Sequence, residues 1–284
     1  MLRHNGFYAF IVFTPFFVIF MRKHWKKIIS CLLIAIALYS ICIFSLTTIL
    51  KADNSENQEF LTVPIMQLTR VYIYESNNLP IEEIEKLYEY IPEQYLNSYN
   101  PKVSDNVKYY FNNENYVNDT TGFWKLWASW ALRYPFTYAN AWFMTSYGFW
   151  YPDTVIDVYK GNSVYTFTYE DSSYFGYEVE YPGFRDSKIP WLDKLYRNMS
   201  LEIFQQKMPV ISMLFSPGFL FWIFAFMLGY LCYQKMWNNA VPFFLPLLCW
   251  LTVILGPTYL TRYVVYLWTL IPVLGLEVYN KKQP

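Results

Sequence analysis

Arg262 is the residue best placed in this chain, by type and position, to do chemistry. It follows the turn Gly256-Pro257-Thr258 and heads an apolar run that extends to Tyr279, with Glu277 near its far end. A guanidinium grips a phosphate through two parallel hydrogen bonds, which an ammonium does not reproduce. If the run is a helix, its first turn also offers free N–H groups and partial positive charge to an anion. Tyr263 would support such a site from the next position. The opposing reading is that Arg262 only reaches toward lipid headgroups while its stem packs on apolar surface. Near an interface that placement costs much less than the roughly 2.5–3.5 kcal/mol of an Arg at the centre of a spanning helix. Both readings stand on the sequence.

A second group is polar and lies in the middle of the chain. Gln67 and Arg70, three residues apart, share a helix face. Ser104-Asp105 reads as a helix start, with Lys108 one turn on. Gln67, Arg70, Asp105 and Lys108 together form a candidate polar cleft between this middle segment and a membrane; the alternative for the first two is an exposed polar pair. Asp153 and Asp157 would share a helix turn and bind a divalent cation through oxygen, or else cap and solvate a turn. Phe123, Trp127, Trp130 and Tyr134 recur at i, i+4, i+7 and i+11, which suits core packing or, on the sharper reading, a stacking platform for sugar rings. Glu82, Glu83, Glu85 and Glu89 read as a solvated helix face.

Several chemistries are excluded by what is missing. The sequence has no phosphate-cradling Gly-Lys-Ser loop, no dinucleotide glycine fingerprint and no nucleophile elbow. Cys31, Cys42, Cys232 and Cys249 all fall in apolar runs, and the histidines are His4 and His24 alone, so no His/Cys zinc set can be assembled at the outer face. No catalytic residue is assigned, and no cofactor is identified beyond the divalent cation that the two aspartates would accept. From Lys51 to Met208 there are 13 Lys and Arg against 21 Asp and Glu, a net of −8. An acidic segment of that kind is a poor partner for nucleic acid, which needs a basic surface.

The elements that must position these residues follow from the apolar runs. Phe7–Met21, Ile28–Leu50, Pro209–Tyr233, Ala240–Leu255 and Tyr259–Tyr279 are five such runs, the third kinked at Ser216-Pro217-Gly218. The basic cluster Arg22-Lys23-His24-Trp25-Lys26-Lys27 follows the first, Lys235 follows the third, and Lys281-Lys282 follows the fifth. With five spans all three fall on one side, which the excess of Lys and Arg marks as cytoplasmic. The expected organisation is two transmembrane helices with a basic cytoplasmic loop over 1–50, an extracytoplasmic domain over 51–208, and three transmembrane helices over 209–284. Pro64, Pro80 and Pro190 open helices within the domain, and Gly122–Tyr151 reads as two helices broken at Pro135, lying at the outer interface. Val155–Tyr159 and Val164–Tyr169 read as a small β-hairpin. The fold class is therefore an α-helical integral membrane protein of the cell membrane, multi-pass, with a mostly helical outer domain.

Four segments carry a resemblance: Pro64-Ile65-Met66-Gln67-Leu68-Thr69-Arg70, Ser104-Asp105-Asn106-Val107-Lys108, Gly148-Phe149-Trp150-Tyr151-Pro152 and Arg262-Tyr263. They resemble the C-terminal half of an uncharacterised multi-pass membrane family of Gram-positive bacteria, whose layout is similar to the GT-C class of glycosyltransferases. The resemblance implies a glycosyltransferase-like protein, or the C-terminal part of one lacking the early catalytic loop, that handles a polyprenyl-phosphate-linked sugar at the outer face of the membrane. Arg262 and Tyr263 would then hold the lipid phosphate. The alternative is a non-enzymatic cell-envelope protein whose outer domain binds a partner or a glycan.

Overall fold

A computed structural model describes residues 4–50, 56–156, 188–199, 204–256 and 258–280. Among these the chain is helical and contains no strand beyond an isolated bridge between Asn100 and Val103. The expected hairpin lies, from Asp157 onward, outside the described residues.

The chain opens with α1 (His4–Phe20) and α2 (Trp25–Leu50), joined by a 3-10 turn at Arg22–His24. The stretch Arg22–Leu46, whose most apolar 18-residue window has a mean hydropathy of 2.6, is the one helix among the described residues that is long and apolar enough to cross a membrane. Beyond it come α3 (Glu56–Phe60), α4 (Thr62–Glu75), α5 (Ile81–Tyr90), α6 (Glu93–Leu96), α7 (Asp105–Lys108), α8 (Asn113–Asn118), α9 (Thr120–Arg133) and α10 (Pro135–Ser146). The last part holds α11 (Pro190–Arg197), α12 (Phe204–Lys207), α13 (Ile211–Phe215), α14 (Pro217–Tyr233), α15 (Trp237–Val253) and α16 (Tyr266–Asn280).

Local chemistry explains most of these boundaries. Pro80 precedes α5, whose first turn carries Glu82 and Glu83 against the helix dipole. Asp119 caps α9 by accepting the Gly122 N–H at 2.9 Å. Pro135 stands in the first turn of α10, where its missing N–H costs no helical bond. Ser216 caps α14 through the Phe219 N–H at 3.3 Å, with Pro217 just inside. That cap breaks the third apolar run into α13 and α14 instead of merely bending it.

Two apolar cores result. In the first, Ile65, Leu68 and Val71 of α4 meet Leu87 and Tyr90 of α5, Phe123, Leu126 and Trp130 of α9, and Tyr138 of α10. Each fully buried large side chain of this kind stabilises the fold by about 1.5–3 kcal/mol. Phe123 and Trp130 are completely buried here, with Trp127 and Tyr134 packed against the same cluster, so the aromatic face of α9 is core and not an open stacking platform. Glu83 likewise leaves the solvated face expected of it: its carboxylate accepts the Trp130 indole N–H at 2.6 Å and pairs with Arg133.

The second core joins α14, α15 and α16 through Leu220, Phe224, Phe243, Trp250 and Leu267, and α1 packs along α15. These are apolar helices of 10–17 residues, and α14 and α16 begin well inside the runs Pro209–Tyr233 and Tyr259–Tyr279. At 1.5 Å per residue the longest covers about 25 Å, below the roughly 30 Å of a bilayer core. The shortening has a cause at the last of them: residues 258–265 form an irregular segment with a 3-10 turn at Thr261–Tyr263, and α16 begins only at Tyr266.

The two cores meet at residues 147–151. The Phe149 carbonyl accepts the Trp250 indole at 3.3 Å, and the Trp150 carbonyl accepts the Trp222 indole at 2.7 Å. Gly218 stands so close to the Tyr151 backbone that a Cβ there would overlap the Tyr151 carbonyl. The segment Gly148-Phe149-Trp150-Tyr151, which follows α10, is thus a clasp whose backbone carbonyls are held by tryptophans of α14 and α15.

Candidate functional site

The segment carrying Arg262 is held from below almost completely. Thr258, Tyr259, Leu260, Thr261 and Val264 are all buried, whereas Arg262 is exposed. Thr258 bonds across to α7: its Oγ1 accepts the Ser104 N–H at 3.1 Å and shares a 3.1 Å hydrogen bond with the Ser104 hydroxyl. Ser104 therefore spends its side chain on a residue far along the chain and makes no side-chain cap on α7. The Tyr259 hydroxyl meets that of Tyr147 at 2.9 Å. On this fixed base, the Arg262 Nη2 donates to the Tyr263 hydroxyl at 3.1 Å, and the guanidinium lies 5.1 Å from the centroid of the same ring. Tyr263 thus orients the guanidinium through its hydroxyl and its ring. Arg262 stands in the 3-10 turn ahead of α16 and not in that helix's first turn, so the helix N-terminus expected beside it begins only at Tyr266.

One turn beyond Ser104, Lys108 is buried at 8% exposure. Its Nζ lies 2.9 Å from Asp105 Oδ1 and 2.9 Å from Glu59 Oε1. Burial pulls the ammonium pKa down, but the charges and hydrogen bonds of Asp105 and Glu59 outweigh it, and the net displacement is upward. Lys108 is a cation locked between two carboxylates that ties α7 to α3.

Gln67 and Arg70 are drawn to other partners. The Gln67 amide donates to the Tyr138 carbonyl at 3.3 Å and accepts the Trp127 indole at 2.9 Å, clipping α4 to α10 and α9. Arg70 donates to the Tyr99 hydroxyl at 3.1 Å and lies 4.8 Å from the Tyr74 ring centroid. Burial raises the Tyr99 pKa, with the Arg70 charge opposing. Of the four residues expected to share a cleft, Asp105 and Lys108 are thus paired, while Gln67 and Arg70 each bind a different part of the domain. Asp153 is exposed and Asp157 lies outside the described residues. Among the described residues no group of three or more His, Cys, Asp or Glu is disposed to hold a metal ion.

Sequence reasoning missed Thr258, Tyr147, Tyr259 and Glu59. Only Glu59 left a trace, as a carboxylate just beyond the second apolar run in a chain whose Lys108 needed one. Compared with known proteins, residues 1–284 match the model of a family of unknown function (DUF6020). No curated protein and no solved structure matches the chain.

Proposed function

We propose, for a chain that belongs to the DUF6020 family along residues 1–284, a five-span membrane protein whose turn at Arg262 and Tyr263 receives the phosphate of a membrane lipid. On this reading α1, α2, α14, α15 and α16 cross the bilayer, and residues 51–208 form a domain on the outer face. The basic segment at Arg22–Lys27, Lys235 and Lys281-Lys282 face the cytoplasm. A helix slightly shorter than the bilayer core is accommodated by local thinning and by its neighbours, at fractions of a kcal/mol per ångström. The ligand class is a polyprenyl-phosphate-linked sugar, and the role is glycosyltransferase-like, as expected from the resemblance.

The observation that carries this reading is an exposed guanidinium on a segment in which Thr258, Tyr259, Leu260, Thr261 and Val264 are buried. Arg262 rises from a segment pinned by Ser104 and Tyr147, where the helical domain meets the apolar helices. A guanidinium already oriented by Tyr263 loses less conformational freedom on gripping a phosphate than a free side chain would. In the five-span arrangement it sits at headgroup depth, where a lipid phosphate presents its charge.

Crosslinking of a photoactivatable polyprenyl-phosphate probe to the full chain in membranes tests the assignment. Arg262→Ala and Arg262→Lys are both expected to lower crosslinking about tenfold or more, since the lost bidentate contact is worth roughly 1.5–3 kcal/mol. Arg262→Lys crosslinking at the parent level would remove bidentate recognition, and Arg262→Ala doing so would leave a headgroup anchor only.

A second reading, a non-enzymatic envelope protein that binds a glycan, is favoured by one feature. Tyr95 and Tyr110 stack with ring centroids 3.6 Å apart, and the exposed Tyr109 packs edge-on against Tyr110. Glycan binding abolished by Tyr109→Ala but untouched by Arg262→Ala would select this reading.

A further inference from the structure

The corner between α9 and α10 exposes the two least buried large apolar side chains of the described domain, Leu132 at 85% and Phe136 at 88%. They are not isolated. Ala128 and Leu132 share the outer stripe of α9, and Phe136, Ala139 and Phe143 continue it along α10 at helical spacing. An exposed apolar stripe over two helices calls for an occupant.

The far end of the stripe indicates which. Phe143 packs edge-on against Trp150 with ring centroids 5.9 Å apart, and the Trp150 carbonyl holds the indole of Trp222. Trp222 is itself exposed, on the outward surface of α14, with the more exposed Phe226 one turn further along. The stripe, interrupted on its face only by the exposed Asn140, is therefore linked through Trp150 to the outer flank of an apolar helix. Its height is limited as well. Trp142, next to Phe143, donates its indole N–H to the Ile254 carbonyl at the end of α15, at 2.9 Å. Phe136 is six residues from Trp142, about 9 Å along the helix. The headgroup zone on each side of a bilayer is about 5–7 Å deep. A tilt of α10 beyond about 45° from the membrane normal brings Phe136 into that zone. Lys125 lies two turns back on the exposed stripe of α9, placed to meet anionic headgroups.

We infer that the α9–α10 corner is a membrane-docking wedge, with Leu132, Phe136 and Phe143 seated among the lipids of the leaflet that faces the helical domain. The inference rests on the membrane-spanning arrangement proposed above. A wedge there fixes the domain at a second point besides the clasp at residues 147–151, so the Arg262 turn is held at constant depth relative to lipid phosphates.

Nitroxide labels at single cysteines report on this in the full chain, with the four native cysteines replaced, in nanodiscs containing phosphatidylcholine and phosphatidylglycerol. Labels are placed at Phe136, at Leu132, at Val117 on exposed α8 as a water reference, and at Phe226 as a lipid reference. Collisions with oxygen, which concentrates in lipid, are compared with those of a water-soluble nickel chelate. The expected result is an oxygen-to-nickel ratio at Phe136 and Leu132 at least threefold above Val117 and approaching Phe226. A Phe136 ratio equal to that of Val117, with Phe226 still lipid-like, overturns the wedge and leaves the spanning arrangement standing. Low collision rates with both reagents at Phe136 mean that protein covers the stripe, which also overturns it. A water-like ratio at Phe226 brings down the spanning arrangement, and the wedge with it.

Discussion

Gly148 faces the side chain of Tyr259 so closely that one added carbon would overlap its Cβ and the Cγ and Cδ2 atoms of its ring. The contact sits where the helical domain joins the apolar helices, and Tyr259 is also the residue whose hydroxyl meets Tyr147. A ring and a backbone pressed together without a side chain between them leave neither partner room to move, which is how the base of the Arg262 turn is set.

Gly148→Ala is accordingly expected to destabilise the protein by about 1–3 kcal/mol through overpacking. Gly229 in α14 is the control, because a Cβ there meets nothing within 4 Å. Gly229→Ala should be neutral or stabilising by up to about 1 kcal/mol, since alanine is the better helix former. Unfolding of the detergent-solubilised chain, followed by tryptophan fluorescence, measures both. Equal behaviour of the two variants would mean that the Tyr259 ring relaxes freely and the clasp is loose.

The proposed orientation has its own test. In a background free of the four native cysteines, Glu114→Cys on α8 should react with a membrane-impermeant thiol reagent in intact cells, with protection at least fivefold greater for Asn238→Cys at the start of α15. Both positions are exposed, so access through the membrane and not burial decides the outcome. The reverse labelling pattern would invert the topology and remove the outer-face placement of Arg262.

Acid should act on the Lys86–Asp119 pair. The Asp119 pKa is held below the usual carboxylate value, first by the hydrogen bond from Lys86 at 2.8 Å and then by the Gly122 N–H. Those same carboxylate contacts, Asp119 first and Glu89 second, raise the Lys86 pKa. A carboxylate with a depressed folded pKa contributes stability above its unfolded value of about 3.9, and that contribution is lost as pH falls through the folded pKa. A raised lysine contributes below about 10.4 and loses that contribution only in strong base. The pair is thus indifferent between about pH 5 and 9 and fails below about 4. Asp119→Asn keeps an acceptor for Gly122 but gives up the charge, so its melting temperature should fall less than the parent's between pH 5 and 3. The difference is small because both side chains reach solvent. An acid limb identical in parent and variant would show that the pair does not contribute.

What the sequence determined by itself is the placement of helices, because the signals are local. Pro80, Pro135 and Pro190 stop or start a helix wherever the chain goes, and a long uncharged run such as Ile28–Leu50 reads as an apolar helix without knowledge of its neighbours. The acidic middle between two apolar ends was equally legible, since charge segregation is composition. What only the tertiary structure decided is the partner of each polar group. Nothing near Ser104 says that its hydroxyl will leave its own helix for Thr258, 154 residues away. Nothing near Gln67 says that its amide will be used up by Trp127 and Tyr138 and not face a cleft. The aromatic period of α9 predicted one face correctly but not what would cover it, because a buried ring and a waiting platform have the same spacing. Arg262 shows the division most plainly. Its position just past the turn Gly256-Pro257-Thr258 could be read from the chain, but its place ahead of α16 was set by burial of Tyr259 and Val264 on either side, packing energy that no short-range preference encodes.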